Sequence, residues 1–168
     1  MRARFDGGAL TSDGGAVLLR EVDRATGILR RFAGCFTDAR DPARVTHPVT
    51  HPVAALVRQR VYGLALGYDD LNDHDRLRRD PLLAVLAEAD DLTAPLAGKS
   101  TLNRLELSAA TVGATERYKK ITVDHAAVDR LLVTLFLEAH ATPPEAVVLD
   151  LDATDDPIRG QQERHSSG

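Results

Sequence analysis

The sequence predicts a mainly α-helical protein with a single β-strand near its end. Two observations carry this fold class. Apolar residues recur at helical spacing in several segments between residues 11 and 140, and after Pro143-Pro144 the pattern changes to a short, nearly all-apolar run at residues 146–152. With 168 residues, 43% hydrophobic and 27% charged, the chain has room for one domain, or for one domain and part of a second.

Two short helices are predicted before residue 40. In residues 11–26, Val17 and Val22 lie at helical spacing after Ser12 or Asp13, either of which could cap the helix. Gly27 ends that helix. A second short helix follows, with an apolar side around a basic pair, Arg30 and Arg31; its apolar residues are Ile28, Leu29, Phe32 and Phe36.

Five more segments are predicted to be helical. Residues 53–68 carry an apolar stripe that ends at Gly67, a typical C-terminal residue of a helix. Asp69 or Asp70 can cap a short basic helix, and Pro81 begins the next one. After a loop at residues 88–99, a helix opens at Ser100, and residues 124–140 form the longest amphipathic helix, which Pro143-Pro144 stops.

The histidines and the cysteine give weak functional signals. Residues 46–53 read THPVTHPV, so that His47 and His51 could share a metal on a helix face, but each proline favours a turn or an extended link instead. His74 and His125 stand in charged or capping contexts and are predicted to be solvated. A lone Cys35 cannot form an intramolecular disulfide, and a small buried core residue is the expected role.

Composition and charge exclude several classes of protein. The net charge of −4 combines 13 Lys/Arg against 11 Asp/Glu in residues 1–80 with an acidic excess further on. Only 4% of residues are aromatic and Trp is absent, which argues against stacking platforms for single-stranded nucleic acid. No apolar run approaches the ~20 residues of a membrane span, and no signal peptide is evident, so the sequence predicts a cytoplasmic protein.

The sharpest pattern is the run VVLDLDATDDP. Asp150 and Asp152 are two residues apart and would project from one face of a strand, with Leu149 and Leu151 on the other face. Paired carboxylates leaving a sheet suit Mg²⁺, which prefers oxygen ligands. The alternative interpretation is a strand that runs into an Asp-rich turn, with Thr154, Asp155 and Asp156 as capping residues. Spacing alone leaves both interpretations open.

Four segments resemble one known family. They are LTSDGGAVLLREVDRATG (10–27), VYGLALGYDDLNDHDRLRRDPLL (61–83), STLNRLE (100–106) and VVLDLDATDDPIRGQQE (147–163). Together they resemble the N-terminal part of bacterial insertion-sequence transposases of DDE domain group 1. The resemblance implies a helical N-terminal region at residues 1–145, with a DNA-binding role, and the start of an RNase H-like catalytic core at residues 146–168.

The resemblance also implies a site and a cofactor. Asp152, in the Asp-Ala-Thr step, is the first choice for the first carboxylate of an Asp-Asp-Glu triad that binds two Mg²⁺ ions, and Asp150 is the second choice. Glu163 lies too close to Asp152 to be the triad glutamate and fits the following turn. The family would continue with an aromatic-rich strand where this chain reads RHSSG, so the expectation is a truncated remnant that performs no strand transfer alone.

Two non-catalytic functions stand beside the transposase. One is a DNA-binding module that recognises transposon ends, in which arginines of the helical region contact phosphates. The nearly balanced charge of residues 1–80 counts against it, because charge runs on helices are commonly solvated faces. The other is an all-α interaction protein that pairs with itself or a partner through the apolar stripe of residues 128–136. The candidate DNA-binding residues are Arg30, Arg31, Arg58, Arg60, Arg76, Arg78 and Arg79.

Overall fold

A computed structural model describes residues 11–40, 51–108 and 120–148 of the chain. The described part is mainly helical, which confirms the predicted class of its secondary structure. Its α-helices are α1 (Ala16–Thr26), α2 (Ile28–Ala33), α3 (Val53–Ala65), α4 (His74–Leu77), α5 (Pro81–Leu86), α6 (Lys99–Glu106) and α7 (His125–Glu138). A 3₁₀ turn spans Leu71–Asp73, and two short strands are β1 (Phe36–Asp38) and β2 (Ile121–Val123).

Gly27 separates α1 from α2, as predicted. Its φ of 65° lies in the left-handed region that glycine adopts readily, and its N–H donates to the Asp23 carbonyl at 2.6 Å. The Asp23 carboxylate then accepts the N–H of Leu29 at 2.8 Å and so fixes the start of α2. The predicted side-chain cap of α1 is wrong, because α1 begins after Gly15 and has no side-chain capping bond.

A two-stranded antiparallel sheet joins distant parts of the chain. Phe36 pairs with Val123, and Asp38 pairs with Ile121. The prediction that Phe36 continues the second helix is therefore wrong. The helix ends at Ala33, and the Phe36 ring instead packs edge-to-face on Phe32 with 5.3 Å between ring centroids.

The helix α3 lies between two apolar clusters, which explains why it contributes more to the core than any other helix. One of its sides packs with α1, α2 and α5, and another packs with α6 and β2. Leu56 on α3 and Leu102 on α6 are completely buried. The prediction of an apolar helix at residues 53–68 is confirmed, although the helix ends at Ala65 and Gly67 follows with a φ of 89°.

Aspartate side chains cap three of the helical elements. Asp70 accepts the N–H of Asn72 at the 3₁₀ turn, Asp80 accepts the N–H groups of Leu82 and Leu83 at α5, and Asp124 accepts that of Ala127 at α7. These bonds satisfy backbone donors that have no partner within a helix. The predicted starts near Asp70 and at Pro81 are confirmed.

The long helix predicted at residues 124–140 is confirmed as α7, but its environment differs from that of α3. Within the described residues no side chain of α7 is buried. Residues 146–148, where the predicted strand begins, form neither helix nor strand, and Val148 is 93% exposed. Residues 149–152 lie outside the described residues, so the strand stays a prediction.

Candidate functional site

Residues 67–81, within one of the four segments that resemble the family, form a compact connection between α3 and α5. Tyr68 donates its hydroxyl hydrogen to the Asp13 carboxylate at 2.9 Å, which ties the segment to the residues before α1. Asp75 forms an ion pair with Lys99 at 3.3 Å and accepts the Lys99 N–H, which ties it to the start of α6. That N–H is the main cause of a lowered pKa of Asp75. The segment thus holds α1, α3 and α6 together.

Arg60 on α3 is the charged centre of this arrangement. Its guanidinium donates to the Tyr68 carbonyl at 3.0 Å and to the Asp69 carbonyl at 2.7 Å, and it pairs with Glu106 at the end of α6. Arg60 is 8% exposed, so its guanidinium, which water reaches poorly, obtains its hydrogen bonds from these three acceptors. We refer to Arg60, Glu106 and these two carbonyls as the Arg60 cluster.

A second polar centre lies deeper, between α3 and α4. Gln59 accepts the N–H of Ala97 at 3.1 Å and donates to the Ala97 carbonyl at 2.8 Å, and its amide nitrogen lies 3.3 Å from Nδ1 of His74. Both side chains are buried. The predicted solvated state of His74 is therefore wrong. The sequence does contain a signal for the burial of His74. His74 lies three residues after Leu71 and three residues before Leu77, the spacing of one side of a helix.

Protonation of His74 is expected to destabilise the fold. Burial is the main cause that lowers the pKa of His74, and Arg60 adds repulsion. The unfolded chain binds this proton at a higher pH than the folded chain does. The free energy of unfolding is therefore not reduced by His74 above about pH 6.5, and it decreases as the pH falls below that value. Urea titrations at about pH 7.5 and 5.5 measure this loss. We expect His74→Gln to weaken the pH dependence.

His51 is the matched control for this measurement. It is half-buried, and its pKa is also lowered, chiefly by burial. His51→Gln should therefore remove part of the dependence and leave the contribution of His74. An unchanged pH dependence in His74→Gln would contradict the assignment.

Three of the seven arginines proposed for DNA binding form ion pairs within the chain. Arg60 belongs to the Arg60 cluster, and Arg58 pairs with Glu88 at 3.0 Å. Arg31 forms a bidentate pair with Glu138 at 2.5 and 3.1 Å, which joins α2 to the end of α7. This guanidinium lowers the pKa of the Glu138 carboxyl. These three side chains have structural partners that compete with phosphate.

The other four arginines have different surroundings. Arg76 and Arg79 are exposed and line one cleft of about 280 Å³ together with Tyr68, and no ion pair is found for either within the described residues. Arg30 is exposed on α2. Arg78 is half-buried beside Gly98. The structure therefore brings Arg76 and Arg79 together on one surface.

The cleft also contains acidic groups that have other partners. Asp13 accepts the Tyr68 hydroxyl, and Asp80 accepts two N–H groups at the start of α5. Their charges moderate the positive potential of the cleft without pairing directly with Arg76 or Arg79.

The proposed catalytic carboxylates lie outside the residues that the structure describes. They are Asp152 and the alternative Asp150; Glu163 and His47 lie outside the described residues as well. In the described ranges, no group of three His, Cys, Asp or Glu side chains could hold a metal ion. Cys35 is buried, which confirms its expected role in the core.

The described part of the chain is mainly helical, and the connection between α3 and α5 carries two exposed arginines, Arg76 and Arg79, that line one cleft. The family model described as Transposase DDE domain group 1 matches residues 1–167, and the chain belongs to this family. No match was found among curated proteins. No match was found among solved structures. Within the described ranges, none of the helices is long and apolar enough to cross a membrane.

Proposed function

We propose that this chain is part of the transposition machinery of an insertion sequence, with residues 1–145 as the DNA-binding region. The observation that carries the proposal is the family match, which extends over residues 1–167. An RNase H-like catalytic core would begin at residue 146. The localisation that suits this function is the cytoplasm.

The helical region would bind DNA through phosphate contacts. Arg76 and Arg79 are the first candidates, because both are exposed and share a cleft. Arg30 is the next candidate because it is exposed on α2. Arginine suits this role because its planar guanidinium binds phosphate oxygens in pairs.

Binding to transposon ends can be tested directly on the whole chain. Gel-shift titrations would compare DNA that carries the terminal repeats of an insertion sequence with unrelated DNA of the same length. Tighter binding to the repeats, with affinity that falls as salt rises, is the expected result. Equal affinity for both DNAs and no salt dependence would contradict a transposase DNA-binding region.

For catalysis we propose Asp152 as the first carboxylate of the DDE triad and as a Mg²⁺ ligand, with Asp150 as the alternative. The pair suits the role because two carboxylates on one face of a strand offer oxygen ligands to a divalent ion. Bound divalent ions would activate the attacking oxygen and stabilise the leaving oxygen of the DNA backbone.

Residues 1–168 alone are expected to show no strand transfer. Two metal ions need more carboxylates than Asp150 and Asp152 supply, so the reaction would require further acidic residues. A nicking assay on transposon-end DNA with Mg²⁺ or Mn²⁺ measures the cleavage that must precede strand transfer. Nicking that disappears in Asp152→Ala would show that this polypeptide already holds a working site and would overturn the expectation.

A further inference from the structure

The outer side of α7 is an exposed apolar surface. Four large apolar side chains on this side are between 42% and 61% exposed: Leu132, Val133, Phe136 and Leu137. The opposite side of the helix faces the protein, where Leu131 and Leu135 are half-buried and Glu138 pairs with Arg31 of α2. A contiguous apolar surface of this kind usually marks a contact with another molecule.

A line of residues along the middle of this surface has a symmetric spacing. Asp129, Val133, Phe136 and His140 follow one another at intervals of four, three and four residues, which keeps them on one side of a helix. We refer to these four residues as the α7 seam. The same intervals occur along the seam of a coiled coil. They also read the same in both directions, with an acidic residue at one end and a basic residue at the other.

His140 keeps its place in the seam although α7 ends at Glu138. Its N–H donates to the Leu137 carbonyl at 3.2 Å, and 4.6 Å separate the centroids of its ring and the Phe136 ring. Its Nδ1 atom lies 2.7 Å from the Phe136 carbonyl oxygen. These contacts hold the imidazole at one end of the apolar surface, and the exposed Asp129 lies at the other end.

We propose that two copies of this chain pair through the outer sides of their α7 helices, which run antiparallel about a twofold axis. Val133 of each copy would pack on the partner's Phe136, and Leu132 on the partner's Leu137. Asp129 would then face the partner's His140 at both ends of the interface.

The occupant is a second copy because this surface is complementary to itself. The symmetric spacing of the seam brings each acidic end to a basic end only when the helices are antiparallel. A parallel pair would place the two Asp129 carboxylates side by side, and like charges repel. Antiparallel helices also have a favourable arrangement of their dipoles.

The size of the surface indicates a weak dimer. The 14 residues of α7 extend over about 21 Å. A pair of helices of this length buries less than the roughly 1,200 Å² of a stable interface, so a dissociation constant in the micromolar range is expected. The pairing uses neither Arg76 nor Arg79 and does not depend on DNA binding.

Sedimentation velocity of the whole chain, at about 1–500 μM protein, measures the pairing. Val133→Glu places a charge within the seam of both copies and should raise the dissociation constant at least about tenfold. Leu18→Glu is the matched control, because Leu18 is 73% exposed on α1, outside the proposed interface. This control should keep the wild-type dissociation constant. A wild-type chain that stays monomeric at every concentration would overturn the proposal, as would equal weakening by the two variants.

A charge exchange tests the antiparallel arrangement. His140→Glu places two carboxylates together at each end of the interface and should weaken the dimer about tenfold. Adding Asp129→Lys to the same chain restores opposite charges at both ends and should return the dissociation constant to within about threefold of the wild-type value. Circular dichroism checks that both variants keep their helices. A double variant as weak as His140→Glu alone would overturn the antiparallel pairing, because another surface would then join the copies.

Discussion

Replacing Arg60 with methionine is expected to lower the free energy of unfolding by about 3 kcal/mol, because two hydrogen bonds from a buried charged donor to backbone carbonyls are lost together with an ion pair. Methionine keeps the apolar stem of the side chain but removes all its donors. The Tyr68 and Asp69 carbonyls then lose their hydrogen bonds from the guanidinium, and Glu106 loses its counter-charge. Urea denaturation followed by circular dichroism measures the change.

Arg58→Met is the matched control for this substitution. Arg58 lies on the same helix and also forms an ion pair, and the two carboxylate partners are similarly solvated, with Glu88 45% and Glu106 36% exposed. Partly solvated pairs contribute about 0–1 kcal/mol, and among the described residues Arg58 makes no hydrogen bond to a backbone carbonyl, so a smaller loss is expected. Equal losses in Arg58→Met and Arg60→Met would show that the Arg60 cluster does not hold the 67–81 segment in the way described.

Gly63→Ala is expected to destabilise the protein by about 2 kcal/mol through a collision with His74. A methyl group at Gly63 would lie 2.8 Å from Cε1 and 2.9 Å from Nε2 of the imidazole ring. The ring is completely buried and cannot move into solvent. Alanine favours a helix over glycine by roughly 1 kcal/mol, but the steric contact has the opposite and larger effect.

A double-mutant cycle isolates this contact from other causes. In a His74→Ala background the collision is absent, so Gly63→Ala should there cost less than about 0.5 kcal/mol or should stabilise the helix. Gly14→Ala serves as a second control, because a methyl group at Gly14 meets nothing within 4 Å. The same loss in both His74 backgrounds would exclude the His74 contact as its cause.

The helices could be predicted because their signals are local. The apolar stripe of α3, the glycine after α1 and the proline at the start of α5 each act within a few residues. The two strands could not be predicted in this way. Each has three residues, too few for a period-2 pattern, and Phe36 pairs with Val123, a residue 87 positions away. Such pairing depends on the tertiary fold.

The roles of the arginines show the same limit. Sequence reasoning placed all seven on a DNA-binding surface, because a guanidinium suits phosphate equally well wherever it occurs. Only the fold shows that Arg31, Arg58 and Arg60 have acidic partners, two of which are more than 40 residues away along the chain. The contact of His74 with Gln59 on another helix likewise appears only in the fold, although the spacing of His74 indicates its burial.

The proposed contact of the helical region with transposon-end DNA is assigned chiefly to Arg76 and Arg79. The most direct measurement is the affinity of the whole chain for terminal-repeat DNA across a salt series, in the wild type, the Arg76→Ala/Arg79→Ala variant and an Arg130→Ala control. Arg130 is a suitable control because it is exposed on α7 and near Asp124.

Each lost phosphate contact reduces the slope of log affinity against log salt by about 0.9, so the double variant should lose nearly 2 in slope. Its affinity near 0.15 M salt should fall roughly tenfold, whereas the control should keep the wild-type slope. A double variant that binds terminal-repeat DNA with the wild-type affinity and slope would contradict the assigned surface. A wild-type chain with no salt-dependent affinity for that DNA would contradict the DNA-binding function itself.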